Sequence, residues 1–147
     1  MKYRNGFTLI EVMIAVAIVA IIAAVSLPSY RDHVTRGKIT EALSTLGDLR
    51  VKLEQYYQDN RTYIGACADG TTAPLPTGTK YFTYECQTLT SNTFVIQATG
   101  VASQGMGGFF YTVDQRNAKA TSISADAASL GWMGNTTCWV IRKGGSC

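Results

Sequence analysis

One uninterrupted apolar stretch near the N-terminus most constrains what this 147-residue chain can fold into. Residues 7–27 are 21 residues without Gly or Pro, and Glu11 is the one charged side chain among them. A helix needs about 20 apolar residues to cross the hydrocarbon of a bilayer, so this stretch has the length of a transmembrane helix. Lys2 and Arg4 precede it, and the positive-inside rule predicts that they stay cytoplasmic while the rest of the chain faces the other side.

A cleaved secretory signal peptide is the alternative interpretation of this segment. Ala24-Val25-Ser26 would supply the small residues of its cleavage site. However, the apolar run is longer than the roughly 7 to 15 residues of a signal-peptide core, and it contains a glutamate. Both features favour a segment that the protein retains.

The composition excludes several other classes of protein. With 46% hydrophobic and 16% charged residues, the chain is too apolar to be disordered. The 13 basic and 10 acidic residues give a formal charge of +3, but this excess includes Lys2 and Arg4, so the overall charge does not argue for a nucleic-acid-binding protein. Four cysteines, all of them after the apolar stretch, are typical of an oxidising compartment and disfavour a cytosolic enzyme.

Glu11 is the most informative residue of the apolar stretch. A carboxylate at the centre of a transmembrane helix costs roughly 2.5 to 3.5 kcal/mol, so such residues usually have a partner and a function. The stretch itself contains no cation, but a cut before Phe7 would create an α-ammonium one helical turn away. That group could pair with Glu11 within one subunit or between neighbouring subunits. A glutamate that merely reaches the cytoplasmic interface is the alternative.

The residues from Lys2 to Glu11 closely resemble the class III signal of type IV pilins and type II secretion pseudopilins: a short basic leader, Gly, Phe, and an apolar run with Glu at its fifth position. The resemblance implies that a prepilin peptidase cleaves after Gly6 and that Phe7 becomes N-methylated. It also implies that Phe7, Thr8 and Glu11 take part in subunit assembly. The apolar run would survive this cleavage, unlike an ordinary signal peptide.

The helical pattern continues beyond the apolar stretch. Pro28 should bend the helix, because it removes one backbone hydrogen bond. Past it, apolar residues recur at spacings of three and four, which predicts an amphipathic helix to about Asp59. These residues are Ile39, Ala42, Leu43, Leu46, Leu49, Leu53 and Tyr56. A helix of this length spans roughly 80 Å, and a small head can cover only its second half. The first half must therefore be buried by lipid or by other copies of the helix.

The pattern of the remaining residues predicts a loop followed by strands. Residues 60–80 are rich in Gly and Pro and are predicted to connect the helix to a sheet. Four runs of aromatic and β-branched residues predict strands at 81–86, 93–99, 109–113 and 138–141, with a tight turn at 114–117. The predicted fold is α+β, similar to type IV pilins, with a long N-terminal helix packed on a roughly four-stranded antiparallel sheet.

The predicted organisation follows from these segments. Residues 1–6 are a cleaved leader, residues 7–27 are the hydrophobic half of the helix, and residues 28–147 are the head. The head comprises a helical half at 28–59, a loop at 60–80, and a sheet with a C-terminal loop at 81–147.

The four cysteines allow three pairings. Cys67 with Cys86 and Cys138 with Cys147 are favoured because each pair closes a local segment. The second pair also resembles the C-terminal disulfide-bounded loop of many type IV pilins, although the loop here is tighter than in several major pilins. The alternative pairings would close much longer loops.

The sequence offers little support for catalysis, a cofactor or a metal. Asp32 and His33 are the residues that would suggest a hydrolase. A catalytic base must contact its orienting carboxylate, however, and adjacent residues on a helix do not face each other. The cysteines form no C-x-x-C pair, so a zinc site is not predicted. A membrane-anchored enzyme is therefore the less favoured class. A DNA receptor built on a pilin scaffold would need a basic stripe, for which Arg116, Lys119, Arg142 and Lys143 are the late candidates.

We therefore expect a structural subunit of a type IV pilus that serves adhesion, twitching motility or DNA uptake. A minor pilin and a type II secretion pseudopilin are the alternatives. The expected partners are other copies of the chain, minor pilins, the prepilin peptidase and methyltransferase, and the inner-membrane assembly machinery. The subunit would reside in the inner membrane, in contact with lipid, before it enters an extracellular filament.

Overall fold

The computed structural model describes residues 7–147, so Lys2, Arg4 and Gly6 of the predicted leader lie outside the described residues. The main elements are α1 (Leu9–Asn60), β1 (Phe82–Leu89), β2 (Phe94–Gly100), β3 (Phe109–Asp114), β4 (Lys119–Ile123) and the short helix α2 (Ala125–Ala128). Two 3-10 turns lie at Ala102–Gln104 and Lys143–Gly145. The long helix and the four-stranded sheet confirm the predicted α+β fold. The chain divides into two compact units, of which the first ends at Thr35 and the second begins at Arg36.

The second half of α1 buries the apolar face that its sequence pattern predicts. Ile39, Ala42, Leu46, Leu49 and Leu53 are buried in the core of the second unit. Their spacing of three and four residues places them on one face of the helix, and they pack in one cluster with the sheet. The helix ends after Asn60, because the next residue adopts a left-handed conformation with φ of 59°.

The sheet has the strand order β1-β2-β3-β4, with every neighbouring pair antiparallel. Alternate side chains of the two central strands are buried: Phe94, Ile96 and Ala98 of β2, and Phe109, Tyr111 and Val113 of β3. One face of the sheet therefore completes the core that α1 begins.

The turn between β3 and β4 confirms the predicted tight turn at 114–117. The Asp114 side chain accepts hydrogen bonds from the backbone N–H groups of Arg116 and Ala118, at 2.9 and 2.8 Å. Asn117 adopts φ of 61°, which asparagine tolerates better than most residues.

The fourth strand is not where its sequence pattern predicts it. The strand lies at Lys119–Ile123, whereas residues 138–141 form no strand. Val140 is nevertheless fully buried, and side chains bind its backbone N–H and carbonyl in place of a neighbouring strand. Its carbonyl accepts from the Tyr111 hydroxyl at 3.0 Å, and its N–H donates to Thr121 Oγ1 at 2.9 Å. The apolar character of this segment thus reflects its burial and not a place in the sheet.

Tyr63 joins the 60–80 loop to the core. Its ring stacks on Tyr57 with centroids 4.7 Å apart and meets Phe94 edge-on at 4.8 Å. Its hydroxyl donates to Glu54 Oε2 at 3.3 Å. Burial, together with the nearby Glu54 carboxylate, raises the pKa of Tyr63 to about 12 from its usual 10.0.

We expect the head to lose stability in strong alkali through Tyr63. Because the folded-state pKa lies above the unfolded value, this contribution is complete below pH 10 and is lost as the pH rises towards 12. Tyr63→Phe should therefore show a shallower fall in unfolding free energy over that range than the wild type, when thermal unfolding is followed by circular dichroism from pH 8 upwards. Identical pH profiles for the two proteins would show that Tyr63 does not couple to folding.

Candidate functional site

The segment at residues 7–27 presents an apolar surface that no other described residue covers. Its large hydrophobic side chains are all exposed: Phe7, Leu9, Ile10, Val12, Met13, Ile14, Val16, Ile18, Val19, Ile21, Ile22, Val25 and Leu27. The helix is long and apolar enough to cross a membrane, and the most apolar window is 0% buried. A core helix of a soluble protein would be mostly buried, so this surface is built to contact something outside the subunit.

Thr8 and Glu11 form the start of α1. The Glu11 backbone N–H donates to Thr8 Oγ1 at 3.3 Å, so the threonine satisfies one of the free donors at the helix start. Thr8-x-x-Glu11 is the spacing of a capping box, and the acidic residue also lies in the first turn, where the helix dipole favours it. Our sequence interpretation of Glu11 rested on its charge and missed this capping pattern, which the spacing contains.

Pro28 lies within the continuous helix α1. Since proline has no N–H, the carbonyl of Ala24 lacks its usual helical donor at this point. The bend at Pro28 stays a prediction.

The C-terminal segment is fastened to the sheet by a disulfide and by side-chain hydrogen bonds. The structure pairs Cys138 with Cys147, and it pairs Cys67 with Cys86, at sequence separations of 9 and 19. These are the local pairings that the sequence analysis favours. The hydroxyl of Thr121 donates to the Cys138 carbonyl at 3.0 Å and, as described above, accepts from Val140.

Thr121→Val is expected to loosen this C-terminal segment. Valine has nearly the same shape but leaves the Cys138 carbonyl and the Val140 N–H without their partner, and a buried unsatisfied group costs about 1–3 kcal/mol. Thermal unfolding and hydrogen exchange at the Val140 amide measure the loss. Thr121→Ser retains the hydroxyl and serves as the control; equal protection of the Val140 amide in both variants would contradict the proposed fastening.

The late basic residues lie in different settings. Arg116 forms an ion pair with Asp114, with Nε 3.5 Å from Oδ2, and Lys119 places its Nζ 4.5 Å from the centre of the Trp139 ring. Arg142 and Lys143 belong to the loop closed by the C-terminal disulfide and are exposed. The structure thus brings Lys119 and Trp139 together at the β3–β4 end of the sheet.

A second basic site, around Tyr81, is not apparent from the sequence. Lys38 and Lys80 place their Nζ atoms 5.0 and 5.2 Å from the centre of its ring. The sequence shows only that Lys80 and Tyr81 are adjacent. Lys38 belongs to α1, far from Tyr81 along the chain, and approaches it only in the folded protein.

The structure places the hydrolase candidates of the sequence, Asp32 and His33, on α1. They are consecutive residues of this helix, and His33 is exposed. Within residues 7–147, no group of three or more His, Cys, Asp or Glu residues is placed to hold a metal ion.

Comparison with known proteins identifies the family. Residues 28–108 match the family described as "Type IV minor pilin ComP, DNA uptake sequence receptor", and residues 1–27 match the prokaryotic N-terminal methylation motif. Over 99% of its length, the chain is 31% identical to a probable minor fimbrial protein of Dichelobacter nodosus, of which it covers 86%. It is also 38% identical to the type IV major fimbrial protein FimA of the same organism, over 47% of this chain and 44% of FimA.

A solved structure shows the same fold. The non-core minor pilin PilV of Neisseria meningitidis matches with a TM-score of 0.54 and 20% identity, over 64% of this chain and 92% of PilV. These relatives are named as fimbrial proteins or pilins. The exposed apolar half-helix, the matching fold and a family match over more than half of the chain agree with the resemblance at residues 2–11: the chain belongs to the type IV pilin family and is a pilus subunit.

Proposed function

We propose that this protein is a minor pilin that enters the type IV pilus through residues 7–27 after cleavage between Gly6 and Phe7 and N-methylation of Phe7. The observation that carries the proposal is the wholly exposed apolar window of α1, in the same helix whose second half buries only one apolar face in the core. The relative that matches almost the whole chain is named a probable minor fimbrial protein, which favours the minor over the major role.

The assembly mechanism follows from the exposed half-helix. Each large apolar side chain that leaves water contributes about 1.5–3 kcal/mol, so these residues require a covering at every stage. Lipid of the inner membrane covers them in the unassembled subunit, and the helices of neighbouring pilins cover them in the filament at the cell surface. Repeating one head-to-tail contact that does not close produces such a fibre.

Glu11 supplies the specificity of this contact. The methylated amino group of Phe7 keeps its positive charge, so one subunit's terminus can neutralise the Glu11 carboxylate of its neighbour. In a filament core of low polarity, neither charge is favourable alone. Both charges are neutralised only when neighbouring subunits dock so that the Phe7 amino group of one meets the Glu11 carboxylate of the other.

Quantitative mass spectrometry of sheared pili tests this proposal. We expect the chain to begin at N-methylated Phe7 and to be a small fraction of the filament protein. A chain that dominates the filament would make it the major subunit, and a chain that begins near Leu27 would contradict filament assembly through residues 7–27.

We also propose that the head binds DNA. The matched family is described as a receptor for the DNA uptake sequence, and the structure places cationic side chains beside half-buried aromatic rings at Tyr81 and Trp139. Ammonium groups bind backbone phosphates, and these contacts depend steeply on salt.

Fluorescence anisotropy of labelled duplex DNA with the full-length chain in detergent micelles tests DNA binding. Each phosphate contact should contribute about 0.9 to the slope of log affinity against log salt concentration. Absence of binding at low salt, with a neutral detergent and a folded protein, would contradict this function.

A further inference from the structure

Three segments of the head meet at Tyr81. The Val101 N–H donates to the Tyr81 carbonyl at 2.9 Å, which ties the residue before β1 to the connection between β2 and β3. Lys38 of α1 reaches the same connection, where its Nζ donates to the Gln104 carbonyl at 2.8 Å. The ring of Tyr81 is therefore held in a fixed framework and is half-buried.

This framework holds two ammonium groups against one ring. The Nζ atoms of Lys38 and Lys80 lie 5.0 and 5.2 Å from its centre, within the range of a cation–π contact. The hydrogen bond to Gln104 uses one of the three N–H donors of Lys38. The ion pairs within residues 7–147 involve Arg50, Lys52 and Arg116, and none involves either of these lysines.

The connection between β2 and β3 is a tightly packed turn beside Lys38. Gly105 has φ of +71°, and its N–H donates to the Ala102 carbonyl at 2.9 Å. At Gly100 an added Cβ would lie 1.8 Å from the Met106 carbonyl oxygen, so the backbone closes tightly on itself. The partly buried Lys38 ammonium is thus positioned before any ligand arrives, which lowers the cost of ordering it on binding.

Two cations held against one ring, with no ion pair to a carboxylate among residues 7–147, favour a polyanion that accepts several hydrogen bonds. We propose that Lys38 and Lys80, held at Tyr81, form a subsite for backbone phosphates of DNA, an inference that rests on the proposed DNA binding. Phosphodiester oxygens accept hydrogen bonds from both ammonium groups, and a run of phosphates along one strand matches two cations at one site. Because contacts to phosphates carry no sequence information, the subsite strengthens binding without selecting sequence.

Salt-dependent binding of the full-length chain in neutral detergent micelles tests the subsite. Lys38→Gln/Lys80→Gln should lower the log–log salt slope by up to about 2 and weaken binding to all duplex sequences alike. Lys80→Gln alone, at an exposed side chain, should lower the slope by about 0.9, which protects the test against any loss of folding in the Lys38 variant.

The matched control is Lys52→Gln/Arg61→Gln, which removes the same charge at two other positions of the head. We expect it to keep nearly the wild-type slope. Equal losses in both double variants would show diffuse charge attraction and would overturn the subsite. Wild-type slopes in the Lys38 and Lys80 variants would overturn the subsite while DNA binding stands, whereas a wild type that binds no DNA would overturn both proposals. Loss of binding to phosphatidylglycerol vesicles with unchanged DNA binding would assign the lysines to lipid and also overturn it.

Discussion

Glu11→Ala should leave a processed subunit in the membrane and reduce its incorporation into filaments by at least about tenfold. In the proposed pairing, this substitution deprives the amino terminus of the adjoining subunit of its counter-charge within an apolar helix bundle. An unpaired charge in such surroundings costs roughly 2.5–3.5 kcal/mol, and 1.4 kcal/mol corresponds to tenfold in an equilibrium. Immunoblots of sheared pili against the membrane fraction measure the ratio.

Two further variants separate the charge of Glu11 from its place in the helix start. Glu11→Gln keeps the length of the side chain but removes the charge, so we expect it to fail like Glu11→Ala. Thr8→Ala removes the hydroxyl that accepts from the Glu11 N–H and costs about 1 kcal/mol of helix stability, but it leaves the carboxylate intact. Normal incorporation of Glu11→Gln together with failure of Thr8→Ala would assign the effect to capping. Normal filament incorporation of Glu11→Ala would remove the pairing mechanism.

Phe94→Ala should destabilise the head by about 3–5 kcal/mol. Phe94 is 0% exposed and begins β2, and its ring meets Tyr63 edge-on at 73° between the ring planes. Its removal leaves a cavity where the loop at 60–80 meets the sheet. Since typical domains have about 5–15 kcal/mol of stability, this loss is large.

Denaturant unfolding of the full-length chain in detergent, followed through Trp132 and Trp139 fluorescence, measures this change. Phe94→Leu keeps most of the volume and should cost less than about 1.5 kcal/mol. Phe110→Ala, at a half-buried position of the adjacent strand, is the second control and should cost less than Phe94→Ala. A loss below about 1 kcal/mol for Phe94→Ala would show that the cavity collapses or that Tyr63 does not depend on this contact.

The helix and the first three strands could be predicted because their patterns are local. Helical periodicity predicted a helix to about Asp59, and α1 ends at Asn60. The strands predicted at 81–86, 93–99 and 109–113 lie within a few residues of β1, β2 and β3. In each case the element's own residues carry the burial pattern: alternate residues in a strand, and residues three and four apart in a helix.

The fourth strand could not be predicted in this way. Residues 119–123 include Lys, Ala and Ser, which have little preference for strands, but they pair with β3 because the Asp114–Asn117 turn brings them back beside it. Residues 138–141 are apolar and β-branched but are bound by the Tyr111 and Thr121 side chains. Composition alone favoured residues 138–141 as the fourth strand, but tertiary contacts gave that place to residues 119–123.

The two places proposed to bind DNA, at Trp139 and at Tyr81, also depend on contacts that the sequence does not show. Lys119 was a candidate from the sequence, yet its position beside Trp139 depends on where the C-terminal segment lies. Lys38 was not a candidate at all, because α1 and the β2–β3 connection are distant in the chain and meet only in the folded head.

The residues from Lys2 to Leu27 alone determined the family and the retained apolar half-helix, because charge, length and spacing along one segment are enough to specify a membrane helix and its processing signal. Only the tertiary structure decided which segment completes the sheet, how the C-terminal loop is fastened, and which lysines share a ring. Those outcomes depend on contacts between segments far apart in the chain, and such contacts leave no periodic pattern in either segment.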